Sequence, residues 1–172
     1  MSQYSIDQFS KITGLNKILI RTWENRYGFL EPKRTSTNIR FYDEDMLIKG
    51  IKYATLVKHG HKISKLVNHN KEHINNLIEE TLNIKDNNQD DIYISRFIES
   101  AILFNQEMFN KNYSLCVKRM GIINFYKEVL IKTMNKISVL YLNNQINPAN
   151  EHFLSENIRI KISHEIEKSK NK

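Results

Sequence analysis

The sequence predicts a mainly α chain in two parts: short helices with a small two-stranded wing, then a four-helix bundle. Three observations carry this expectation. Four of the five glycines (Gly14, Gly28, Gly50, Gly60) and Pro32 lie within the first 60 residues, and only Gly121 and Pro148 follow. Turning elements therefore dominate the first part and long helices the second. Apolar residues then recur at helical spacing through most of the chain. Finally, the run Lys85-Asp86-Asn87-Asn88-Gln89-Asp90-Asp91 contains no hydrophobic side chain. It reads as a linker, residues 85–91, between a first domain over 1–84 and a second over 92–172.

Ser5 is a fitting N-cap for a first helix, and Gln8 three residues on completes a capping box. Ile6, Phe9 and Ile12 form its buried stripe, and Gly14 ends it. Asn16 caps a second helix, in which Ile20 and Trp23 face the core while Lys17 and Arg21 share another face. Two short helices around a glycine turn suit a helix-turn-helix. Pro32 lacks an amide hydrogen and cannot continue the helix. Thr35, Thr37, Ile39, Phe41 and Tyr42 favour extended structure, so 32–42 should form a hairpin with its turn over 34–38. Asn38 tolerates the left-handed backbone such a turn needs.

Asp43 then caps a third helix that Gly60 closes, Lys62 to Val67 form a short fourth, and Lys71 to Ile84 a further amphipathic one. Past the linker, Ile94, Phe97, Ile98, Ala101 and Phe104 mark one helix, and Leu115 to Met120 part of a shorter one. A long third follows from Ile122 through Tyr126, Val129 and Leu130 to Tyr141. Asn147 followed by Pro148 announces the last, an N-cap with proline at the first helical position. This helix should run into the 160s and fade over the charged end. Phe104, Phe125, Tyr126 and Cys116 are expected in the bundle core.

The net charge of +7 is uneven. Residues 1–70 hold 12 Lys and Arg against 6 Asp and Glu, and residues 71–172 hold 14 against 13. Basicity concentrated in one segment is the footprint of a polyanion binder, since counterion release from phosphates drives association. One cysteine excludes an internal disulfide and a multi-cysteine metal site. No apolar run nears the ~20 residues that span a bilayer, and no signal segment opens the chain. A cytoplasmic protein without membrane contact is expected. His59, His61, His69 and His73 read as surface residues, and no metal site is expected. No nucleophile–base pair, paired carboxylates or phosphate-cradling glycine loop stands out, so no catalytic residue is assigned and no enzyme is expected.

Taken in order, Ile20-Arg21-Thr22-Trp23-Glu24, Arg26-Tyr27-Gly28-Phe29-Leu30, Pro32, Arg34 and Arg40-Phe41-Tyr42 resemble the DNA-binding domain of the MerR family of bacterial transcription regulators. The resemblance covers roughly residues 3–70. Thr22 stands where the family has a first aromatic residue, and Asn38 where a wing glycine is usual. The resemblance implies a winged helix-turn-helix, with the second helix in the major groove and the wing on the flanking phosphates. The DNA-contacting residues it implies are Lys17, Arg21, Arg26, Tyr27, Arg34, Asn38, Arg40 and Tyr42, with Arg21 and Lys17 on the groove-facing helix. Tyr27 and Tyr42 either donate a hydroxyl to phosphate or pack.

The wording Trp-Glu-x-Arg-Tyr-Gly is similar to a branch that includes light- and cobalamin-dependent repressors. Those proteins carry a bundle resembling the cap of cobalamin-dependent methionine synthase, with Trp, nine residues, then Glu-His. Here Tyr141 stands in the tryptophan position and Glu151-His152 follow at that spacing, so these three would face a corrin. The Asp-x-His-x-x-Gly motif that supplies the lower axial ligand does not occur in these residues. No cofactor is therefore expected in this chain, and cobalamin only if a C-terminal cobalamin domain is present. The function implied is a sequence-specific repressor, a dimer or higher oligomer on inverted-repeat promoter DNA, with RNA polymerase as a further partner. The alternative is a sensor or interaction module whose bundle binds a corrinoid, a small apolar ligand or a partner protein.

Overall fold

The computed structural model describes residues 3–83, 89–142 and 144–170. The chain forms two compact units, Met1–Ser95 and Arg96–Lys172. In the first, strand β1 (Tyr4–Ser5) leads into α1 (Ile6–Thr13) and α2 (Lys17–Tyr27), then β2 (Lys33–Arg34) and β3 (Arg40–Tyr42). Helices α3 (Glu44–Lys58), α4 (Ile63–Leu66) and α5 (Lys71–Asn83) follow.

The starts of α1, α2 and α3 are each fixed by the expected side chain. Ser5 and Gln8 form the reciprocal capping box at 2.8 and 3.2 Å. Asn16 Oδ1 accepts from the Leu19 amide at 2.7 Å, and Asp43 Oδ1 from Met46 at 3.0 Å. Gly14 at φ 80° and Gly28 at φ 58° reverse the chain after α1 and α2 in the left-handed region that a Cβ disfavours.

The expected hairpin forms, with Lys33 opposite Phe41 and Arg34 opposite Arg40. A third strand joins it: β1 pairs antiparallel with β3, giving the order β1-β3-β2. Two residues are too few for a periodic signal, so β1 was not legible in the sequence. Phe9, Ile12, Ile20, Trp23, Phe29, Tyr42, Leu47 and Leu56 fill the core beneath the sheet and helices. Trp23 meets Phe29 edge-on at 5.3 Å, and Phe29 lies 5.1 Å from Tyr53. Gly50 on α3 admits α1 closely, since a Cβ there would lie 2.3 Å from Phe9 Cζ.

Of the expected linker, residues 85–88 lie outside the described residues. Gln89 is buried and donates to the Thr81 carbonyl at 2.9 Å, and helix α6 (Asp90–Ile102) begins directly after it. The first turns of α6 are tied to α3: Lys58 pairs with Asp91, and Thr55 donates to Ser95 at 3.1 Å. These contacts explain why the first compact unit extends to Ser95.

The second unit holds the end of α6, then α7 (Gln106–Asn124), a π-helix (Phe125–Leu130), α8 (Ile131–Leu142) and α9 (Pro148–Lys170). Gly121, at φ 79° and ψ 163°, breaks α7, so a shorter helix before it and a long one after it form as the spacing predicts. The π-turns inside the long helix lie beyond what apolar spacing reveals. Phe97, Phe109, Tyr113 and Phe125 form an aromatic core with centroids 5.2–5.9 Å apart. Cys116 is buried beside it. Phe125 is also buried, whereas Phe104 and Tyr126 are about half exposed, contrary to the core placement expected of them. Phe104 takes φ 50° just before the N-cap Asn105, a turn position that carries its ring outward against Phe153.

Asn147 Oδ1 accepts from the Ala149 amide at 2.9 Å, and the helix starts at Pro148 as expected. It does not fade in the 160s but runs to Lys170, supported by charge pairs at i,i+3 spacing such as Glu165–Lys168 at 3.2 Å.

Candidate nucleic-acid interface

Helix α2 has one face with no role in the core. Lys17, Ile18, Arg21, Thr22 and Asn25 are all exposed, while Ile20 and Trp23 anchor the opposite face. Arg21 makes no hydrogen bond or ion pair among the described residues. Lys17 does: its Nζ sits 2.5 Å from Asp7 on α1, which also holds Lys11 at 3.4 Å. These two lysines hold the Asp7 carboxyl below its ordinary range, through the hydrogen bonds from Lys17 first and Lys11 second. Lys17 thus bridges α2 to α1 through an exposed ion pair, and its ammonium keeps further hydrogens for a phosphate.

Ile18 escaped the sequence reading. At 77% exposure it is the most solvent-accessible large apolar side chain among the described residues of the first unit. Its signal was present: Ile18, Arg21, Thr22 and Asn25 lie at i, i+3, i+4 and i+7, a face of their own. A fork-shaped donor, methyl groups and an amide on one helix face match the edges of guanine, thymine and adenine in the major groove.

The wing is joined to that helix through a buried acid. Glu24 of α2 is 5% exposed at its side chain and accepts from the Tyr42 hydroxyl at 2.6 Å. Arg40 Nε lies 3.7 Å from the same carboxylate, an electrostatic pairing too long for a hydrogen bond. Tyr42 is 0% exposed and packs 4.5 Å from Phe9. The expected phosphate contact by Tyr42 is therefore corrected: its hydroxyl faces inward and is spent on Glu24. Burial, then the bond to Glu24, pushes its pKa up, so it stays a donor. Arg40 is half-buried and serves the same junction.

The outer wing matches expectation in geometry. Asn38 adopts φ 64°, and its amide donates to the Thr35 carbonyl at 2.9 Å. Arg34 Nη1 donates to Asn38 Oδ1 at 2.9 Å and to its carbonyl at 3.3 Å, which presents the exposed guanidinium at the hairpin tip. Ile39 beside it is exposed. Lys33 is exposed and pairs with Asp43 at 3.2 Å. Arg26 is exposed at the end of α2, its guanidinium 5.5 Å from the centre of the half-buried Tyr27 ring. Arg21, Arg26, Arg34 and Asn38 thus lie on the surface of one compact unit, with Lys17 paired beside them and Arg40 and Tyr42 underneath.

The three residues expected to face a corrin belong to the second unit. Tyr141 is 41% exposed near the end of α8. Glu151 and His152 lie in the first turns of α9, His152 Nδ1 being 3.5 Å from Glu151 and its side chain 76% exposed. The histidines His69 and His73 stack at 4.0 Å, and among the described residues no three His, Cys, Asp or Glu side chains converge as a metal site would require. Among the described residues no helix is long and apolar enough to cross a membrane.

Residues 4–65 match the family model of MerR HTH family regulatory proteins. The match spans α1, α2, the wing, α3 and most of α4, and it assigns to this segment the helix-turn-helix of DNA-binding transcription regulators. A comparison with curated proteins found none that matches the chain.

Proposed function

We propose that the protein is a sequence-specific transcription regulator of MerR type, which represses from inverted-repeat promoter DNA as a dimer or higher oligomer. The observation that carries this reading is the exposed face of α2, rigidly coupled through Glu24, Tyr42 and Arg40 to a wing bearing Arg34. Helix α2 enters the major groove, where Arg21, Ile18, Thr22 and Asn25 meet base edges. Arg26, Arg34 and Lys33 contact phosphates and set register, and Asn38 holds Arg34 in place. A single unit of this size contacts too few bases for strong discrimination, which favours two copies on two half-sites. The protein works in the cytoplasm, at promoters where RNA polymerase is its neighbour, and performs no catalysis.

A mobility-shift titration of the full chain against its own promoter, at two salt concentrations, tests this. The expected result is binding at least a hundredfold tighter than to shuffled DNA of equal length, with a steep loss of affinity as salt rises. Equal affinity for both DNAs would overturn it.

A second reading, a ligand-sensing second unit, is favoured by one observation. An apolar groove of about 320 Å³ opens between α7, the π-helix and α9. It lies within the size range of small-molecule sites. Tyr141, Glu151 and His152 are not among its lining residues. The groove therefore supports a small apolar ligand rather than a corrin held by those three.

A further inference from the structure

The groove in the second unit has three properties that its role in packing does not require. Its wall includes the residues following Gly121, whose φ 79° and ψ 163° are open to essentially no residue but glycine. That wall continues into the π-helix Phe125–Leu130, and such segments recur at functional sites because helices otherwise avoid them. Second, Tyr126, Ile162 and Ile166 are left partly exposed at the groove although aromatic core packing lies immediately beneath.

The third property is polar. Tyr113 is 91% buried, and its hydroxyl has no hydrogen-bond partner among the described residues. Lys161 Nζ lies 5.3 Å from the centre of that ring and has no carboxylate partner among the described residues. The other charged residue in the lining, Glu165, is engaged by Lys168 at 3.2 Å and lies 3.9 Å from His164. The local balance of Lys161, Glu165 and Lys168 is one positive charge. An apolar trough with one uncompensated cation and one unused donor is complementary to a molecule that is apolar for most of its length and anionic at one end.

We propose that this groove binds a single-chain carboxylate amphiphile, its hydrocarbon along Phe109, Tyr126 and Ile162 and its carboxylate on Lys161 and the Tyr113 hydroxyl. The inference deepens the sensor reading of the second unit and does not depend on DNA recognition by the first. Burial, and to a lesser degree Glu165, raises the Tyr113 pKa, so the phenol remains a donor at neutral pH. The hydroxyl is closed to solvent, so a carboxylate reaches it by displacing a neighbouring side chain.

Isothermal titration of the full chain with decanoate, and separately with decanol, below their aggregation concentrations tests this. Decanoate is expected to bind saturably at one per chain, with decanol at least tenfold weaker. Lys161→Ala should bring decanoate down to the affinity of decanol and leave decanol unchanged. Tyr113→Phe should weaken decanoate severalfold at unchanged helicity, and Ile162→Trp, which fills the groove, should abolish both. Decanol binding as tightly as decanoate, non-saturating uptake, uptake of anionic vesicles in place of monomeric decanoate, or a Lys161→Ala chain that binds decanoate normally would each overturn it. Promoter binding by the same samples separates the two readings. Loss of decanoate binding with intact promoter binding contradicts this inference alone.

Discussion

Glu24 and Tyr42 illustrate how much depends on one buried pair. A carboxylate at 5% exposure costs stability unless it is hydrogen-bonded, and the Tyr42 hydroxyl at 2.6 Å supplies that bond. Tyr42→Phe keeps the ring against Phe9 and leaves Glu24 with Arg40 at 3.7 Å. The expected loss is about 1–3 kcal/mol, the usual range for removing a partner from a buried charged acceptor. Urea unfolding followed by the fluorescence of Trp23, the single tryptophan, measures it within the first unit. Asp43 offers a pH test. The Met46 amide, with Lys33 adding to it, holds its carboxyl below the ordinary range. A group with a depressed folded pKa contributes stability above its unfolded value, near ~4, and that contribution is lost as pH falls through the folded value. Asp43→Asn retains a cap and should flatten this acid limb, whereas Asp43→Ala should cost about 0.5–2 kcal/mol at neutral pH.

At the scale of elements, the wing and α1 carry separate tests. Arg34 is held at the hairpin tip by Asn38, so Arg34→Ala removes an exposed cation without disturbing the core. Promoter binding should weaken nearly equally on all sequences, and the slope of log affinity against log salt should fall by about one. Gly50→Ala should destabilise the first unit by about 1–3 kcal/mol, because its Cβ meets Phe9, which is fully buried and has nowhere to move. The local elements were legible in the sequence because their signals are local. Ser5 with Gln8, Asn16, Asp43 and Asn147-Pro148 each act within three residues of themselves. The Tyr42–Glu24 bond joins residues 18 apart and needs the folded sheet, so the sequence leaves the tyrosine open between a phosphate contact and packing. Ile18 was passed over because an apolar residue on an amphipathic helix is first assumed to face inward. The π-helix escaped because its apolar residues keep nearly the spacing of an α-helix.

Over the whole molecule, the family match, the exposed face of α2 and the wing fall in one segment. The residues up to 70 carry 12 of the 26 lysines and arginines against 6 of the 19 acids, and that segment holds the exposed face of α2 and the wing. Residues 96–172 are also basic, with 12 lysines and arginines against 7 acids, so charge alone does not separate the two units; what distinguishes the second is its apolar groove. The groove itself was not legible in the sequence. Its lining comes from three helical segments, and the exposure of Tyr126 follows from the π-helix rather than from any motif.

In the proposed function, the exposed face of α2 reads sequence while the wing supplies affinity. Competition binding of the full chain, comparing its promoter with shuffled DNA for wild type and Arg21→Ala, tests that division directly. Arg21→Ala is expected to weaken promoter binding by about tenfold to a hundredfold, the ~1–3 kcal/mol of a base-reading arginine. Shuffled-DNA binding should change far less, so the specificity ratio falls. An equal loss on both DNAs, or an unchanged ratio, would contradict it.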